Sequence, residues 1–110
     1  MKGVHVALLL SLAIVTEVAA TVALRFSDGF TRVVPSTVVV LGYGISFWLL
    51  ALVLKQLSLG TTYAVWSAAG TALIAAIGVF AFGEPATALK LASLSLIILG
   101  VVGLNMAGSH

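Results

Sequence analysis

The sequence predicts an all-α membrane protein with four transmembrane helices, and three observations carry that prediction. Of its 110 residues, 62% are hydrophobic and only 7% are charged, and the mean hydropathy is +1.28. A soluble domain is about a quarter charged, and eight Lys, Arg, Asp and Glu residues cannot cover a globule of this size. Finally, the apolar residues fall into four runs. Each crossing takes about 20 residues, so four use about 80 and leave about 30 for turns and ends. A soluble enzyme, a nucleic-acid-binding domain and a disordered chain are excluded, and whatever the protein does takes place among its helices.

The first run extends from Val4 to Leu24 with one charge inside it, Glu17. Arg25 to Pro35 reads as a loop, rich in charged and turn-forming residues. The second run spans Ser36 to Leu54 and is closed by Lys55 and a turn through Gly60. The third covers Thr61 to Phe82 and stops at Gly83-Glu84-Pro85, and the fourth extends from Ala88 to Met106. Backbone groups in lipid must be satisfied within their own segment, so all four runs are expected as helices of one transmembrane domain. Lys2, the apolar run and the small residues Ala19 to Ala23 loosely fit a signal peptide. Glu17 late in the stretch and Arg25 as a helix-end anchor favour a retained span.

The remaining composition narrows the chemistry. The net charge of +2 is a small excess without a basic cluster, so no nucleic-acid partner is expected. There is no cysteine, and His5 and His110 stand alone at the two ends, so neither a metal site nor a cofactor is expected. With four helices, Lys2 and Lys55 fall on one side of the membrane and Arg25, Arg32 and Lys90 on the other. Two against three is almost no orientation bias. Either another factor sets one orientation, or the chain inserts both ways and opposed copies pair, recreating with one sequence the inverted repeats of larger transporters.

Glu17 is the outlier. A carboxylate within a membrane span is costly and by default functional. Removal from water disfavours a bare carboxylate, and two such groups facing each other in a dimer favour sharing a proton. A group in that position holds a proton or a cation, and exchange of one for the other is antiport; the alternative is a protonated side chain bonding a neighbouring helix. Leu10, Ala13, Ile14, Ala20, Thr21 and Leu24 share its stripe, and the small members leave room for a ligand or for a partner helix.

Aromatic residues follow in the next two helices. Tyr43 and Phe47 are four apart, with Trp48 adjacent, and Tyr63 and Trp66 are three apart. Aromatic faces attract cations, and beside a buried carboxylate they suit a bulky apolar cation. Tyr63, near a loop, fits an interfacial belt well; Tyr43 and Trp66 lie deeper and fit it less, so for those two the belt and the cation face weigh evenly. The fourth helix lacks charge and aromatics between Leu91 and Met106, and its small residues, Ser93, Gly100 and Gly103 among them, suit close contact with another helix. Gly70 and Gly78 could permit bending of the third.

These marks together resemble the small multidrug resistance family of proton-coupled exporters, over essentially the whole chain. They are Glu17-Val18, Phe26-Ser27-Asp28-Gly29-Phe30-Thr31-Arg32 with Pro35, Ser46-Phe47-Trp48-Leu49-Leu50-Ala51, and Gly60 followed by Tyr63-Ala64-Val65-Trp66-Ser67. The resemblance implies an antiparallel dual-topology homodimer in the bacterial cytoplasmic membrane. Glu17 of each copy would bind protons or the cationic substrate. Leu10, Ala13, Ile14, Ala20, Thr21, Tyr43, Ser46, Phe47, Tyr63 and Trp66 would line the chamber, and Ser93, Leu96, Gly100 and Gly103 would form the dimer contact.

Guanidinium exporters of the same family are similar too, but carry Trp where this chain has Ala20, and Thr-Gly where it has Ser67-Ala68. Tyr43 also matches the drug-exporting branch, whereas Gly83-Glu84-Pro85 looks more like the guanidinium branch. Chamber residues bear on substrate more directly than a loop, so lipophilic, aromatic and quaternary ammonium cations are the expected cargo. The chain departs from the family pattern at Ala68-Ala69-Gly70, where a hinge near Ala69 and Gly70 is expected, and at Ser93, where a Gly is usual. A third possibility is a subunit that pairs with a paralogue, against which the balanced loop charge argues.

Overall fold

The computed structural model describes residues 2–107, with side chains from Val4 onward. Among the described residues the regular structure is helical, with α1 at Lys2–Phe26, α2 at Val33–Val53, α3 at Leu59–Phe82 and α4 at Ala88–Met106. All four are long and apolar enough to cross a membrane; the shortest, 19 residues, extends about 28 Å. Two compact units, Met1–Gln56 and Leu57–His110, divide the chain. Each is a helical hairpin, α1 on α2 and α3 on α4.

In the first unit the connection is tighter than the expected loop from Arg25 to Pro35. Arg25 and Phe26 belong to α1, while Val33, Val34 and Pro35 belong to α2. Proline is tolerated there because the amide it lacks would have had no partner in a first helical turn. Ser27 organises the turn from a fully buried position. Its Oγ donates to the Leu24 carbonyl at 2.7 Å and accepts from the Phe30 amide at 3.1 Å. Its own carbonyl accepts from the amides of Thr31 and Arg32. The chain reverses through three left-handed residues, Asp28, Gly29 and Phe30, at φ 50°, 69° and 67°. Glycine adopts this conformation freely, and Phe30 does so at a cost of about 1–2 kcal/mol.

The α1–α2 contact is a close one. A Cβ added at Gly42 would lie 2.8 Å from the Ala20 Cβ and 3.3 Å from the Thr16 carbonyl oxygen. The absence of a side chain there is what lets the two backbones approach. One turn further along α2, Ser46 is fully buried and its Oγ donates to the Ala13 carbonyl at 2.7 Å. Val39, Leu49, Leu50 and Val53 on α2 and Val6, Leu10, Ile14 and Val18 on α1 complete the buried set.

In the second unit, Ser58 caps α3 by accepting from the Thr61 amide at 3.3 Å, so Gly60 lies inside the helix rather than in a turn before it. At its far end Gly83 adopts φ 68°, and the Glu84 amide reaches back to the Gly78 carbonyl at 3.0 Å. The Glu84 carboxylate folds over Gly78, so a side chain there would meet it. Gly78 thus makes room for a terminal contact. The helix runs unbroken through Ala69 and Gly70. Thr87 caps α4 through the Lys90 amide at 3.1 Å, and no residue of α4 is buried.

Candidate functional site

Glu17 lies in the middle third of α1, half-buried on the side that meets α2. The 3.6-residue period puts Thr21 one turn beyond it on the same stripe, and the Thr21 Oγ1 donates to Glu17 Oε1 at 2.9 Å. The same Oγ1 is 2.7 Å from the Tyr43 hydroxyl on α2. A threonine hydroxyl has a single proton. With that proton given to the carboxylate, the Tyr43 O–H must donate to Thr21. The three side chains form one directed chain, from Tyr43 through Thr21 to Glu17.

Both neighbours of this chain are fixed by packing. Ala20, beside Thr21, is fully buried where Gly42 approaches, and Gly42 directly precedes Tyr43. The close approach therefore sets the reach of the tyrosine. Tyr43 also stacks on Phe47, with ring centroids 6.3 Å apart and planes 20° from parallel, a preferred offset geometry. Among the described residues no ion pair to Glu17 is seen; the Lys90–Glu84 contact, at 4.0 Å, is in the other unit.

Other residues expected around Glu17 divide by what they do in the single chain. Leu10, Ala13, Ile14 and Ala20 are buried, and Ser46 commits its hydroxyl to the Ala13 carbonyl. These five build the α1–α2 contact. Phe47 projects outward, 57% exposed. In the second unit Tyr63, 62% exposed, meets Trp66 edge-on at 5.6 Å and 76°. Ser93, Leu96, Gly100 and Gly103 all lie on the exposed surface of α4. Among the described residues no cluster of His, Asp or Glu could hold a metal ion; His5 is exposed and His110 lies outside the described residues.

Gly42 is the residue that sequence reasoning passed over. A signal was available, since Gly42 and Ser46 are spaced as a small-x-x-x-small pair, a spacing that lets helices approach in membranes.

The family description "Small Multidrug Resistance protein" matches residues 5–97. The chain is 48% identical to the quaternary ammonium compound-resistance protein QacE of Escherichia coli over 90% of each chain. It is 45% identical to the multidrug resistance protein mmr of Mycolicibacterium paratuberculosis, over 94% of this chain and 97% of that one. It is 44% identical to the uncharacterized membrane protein YvaE of Bacillus subtilis, over 88% of this chain and 82% of that one. With four spans and a match over nearly its whole length, the chain belongs to the small multidrug resistance family and is a multi-pass protein of the bacterial cytoplasmic membrane.

Proposed function

We propose that the protein is a cation/proton antiporter that exports lipophilic, aromatic and quaternary ammonium cations. The observation that carries this reading is Glu17: a carboxylate inside an apolar span, held by a hydroxyl chain and, among the described residues, without a cation to neutralise it. Such a group has two ways to lose its charge in lipid, protonation or pairing with a diffusible cation, and the two exclude each other. Resistance to quaternary ammonium compounds in the name of one relative supports the cargo class. So do the Tyr43–Phe47 and Tyr63–Trp66 pairs, whose ring faces attract desolvated cations.

In the cycle, Glu17 releases its proton on the side of higher pH and takes up the organic cation. Alternating access then carries the cation across, and protons displace it on the other face. An antiparallel homodimer supplies the second Glu17. Support comes from α4, which has no buried side chain in the single chain, and from the balanced loop charges.

Glu17→Gln keeps the size of the side chain and removes both the charge and the exchangeable proton. In proteoliposomes it should abolish tetraphenylphosphonium accumulation driven by a pH gradient. The loss of a buried charge pair should weaken binding by about 3 kcal/mol, roughly a hundredfold. Accumulation that persists in the variant would overturn the antiport reading. Gly83-Glu84-Pro85 favours guanidinium as a second cargo reading, and the same vesicles decide it: guanidinium carried in preference to tetraphenylphosphonium reverses the substrate assignment.

A further inference from the structure

The hydroxyl chain at Glu17 has a direction, and that direction depends on what Glu17 holds. An ionised carboxylate only accepts hydrogen bonds, so Thr21 must donate to it and Tyr43 must donate to Thr21. A protonated Glu17 has an O–H to donate. It can give that proton to Thr21 Oγ1, whose own proton then turns to the Tyr43 oxygen. The heavy atoms need not move, because both bonds, at 2.9 and 2.7 Å, suit either polarity.

We propose that Thr21 is a positioning residue that reports the occupancy of Glu17 to Tyr43 by reversing this two-bond chain. With Glu17 ionised, the Tyr43 hydroxyl proton is tied to Thr21, and its outer lone pair and ring face are left for a cation. With Glu17 protonated, the Tyr43 O–H is released and turns its positive end away from Thr21, toward the space a cation would occupy. The wall beside the carboxylate is thus receptive to a cation only in the state that lacks the proton. No bond is made or broken beyond the rotation of two hydroxyls and the binding of one proton at Glu17. The inference rests on the reading of Glu17 as the proton and cation site.

Within the first unit, the other charged residues stand away from this chain along the helices. On α2, the element packed against α1, Tyr43 is the titratable group that faces Glu17. The other ionisable residues of this unit stand at the helix ends: Lys2, His5 and Arg25 on α1, Asp28 and Arg32 in the turn, and Lys55 after α2. Arg25 is eight residues from Glu17 along α1, about 12 Å, and His5 is farther.

Carbon-13 NMR of the full chain in lipid bilayers, with labels at the Glu17 carboxyl and the Tyr43 ring carbon that bears the hydroxyl, tests the proposal. In the unmodified protein the two signals should move with one common midpoint as pH is varied. In Thr21→Val, which matches threonine in shape but has no hydroxyl, Glu17 should still titrate while Tyr43 stays flat. Thr21→Ser should restore the coupled movement. Tetraphenylphosphonium binding at a pH where Glu17 is ionised should weaken about two- to tenfold in the Val variant and recover in the Ser variant. A Tyr43 signal that follows Glu17 in Thr21→Val overturns the proposal, as does one that ignores Glu17 in the unmodified protein. The second result decides the matter even if the Val variant does not fold. A Glu17 signal that never titrates overturns the antiport reading as well, which separates the two failures.

Discussion

The two hairpins of this chain are built from similarly apolar helices and are finished to different degrees. In the first, α1 and α2 are locked by the Gly42–Ala20 approach, the Ser46–Ala13 hydrogen bond and the Thr21–Tyr43 bond. In the second, caps define both helices, yet α4 buries nothing, and Gly100 and Gly103 have open space where a side chain would be. In water such a surface would be a defect, but in lipid it costs nothing, and close packing is gained only against a partner backbone. Glu17, the carboxylate inside a span, thus lies in the hairpin whose helix contact is closed within one copy. The other hairpin leaves a face of α4 open, the surface that the proposed homodimer would use.

The largest test of that contrast is Gly100→Leu. A Cβ added at this position has nothing within 4 Å in the single chain, so the main loss is expected from contact with another molecule. Overpacking should weaken the proposed homodimer by about 2–3 kcal/mol, read as a monomer–dimer shift by fluorescence energy transfer in bilayers, with helix content unchanged. An unaffected dimer would move the contact off this face. Next is the pair Gly42→Ala and Gly44→Ala. The first meets Ala20 and Thr16 and should cost about 1–2 kcal/mol in denaturant unfolding from micelles; the second, which faces open space, should be neutral. Equal costs would show that backbone approach is not what holds this hairpin.

Smaller effects sharpen the comparison further. Trp66→Ala removes the partner of the edge-on Tyr63 pair. It should weaken aromatic cations by about 1 kcal/mol more than tetramethylammonium, read by calorimetric titration; equal losses would remove Trp66 from the cation face. Ser46→Ala deletes the bond to Ala13 and should cost about 0.6 kcal/mol of hairpin stability, as interhelical hydrogen bonds in membranes do. A larger loss of cation binding than of stability would place Ser46 in the chamber instead.

Much of this was legible in the residues. Four apolar runs become four helices, and the ends of α3 and α4 fall within two residues of the run boundaries. Composition and run length suffice for that, because a continuous apolar run of about 20 residues satisfies its backbone in lipid as a helix. The α1–α2 turn was less legible, since Pro35 signals a break whose position depends on whether its missing amide was needed. Ser27 shows the same limit, because its role in closing the turn appears only when three left-handed residues bring Phe30 back over it.

The sequence by itself determined the solvent, the helix count and the singular status of Glu17, because each depends on how much polar surface a segment carries into lipid. Only the tertiary structure decided which small residues meet. Gly42, Ala20, Ala13 and Ser46 became a helix contact, while Gly100 and Gly103 remained open. It also decided that Thr21 stands between Glu17 and Tyr43. Residues 22 positions apart become neighbours only through the rotation and separation of two helices, and close packing sets those quantities without any periodicity that a single strand of sequence displays.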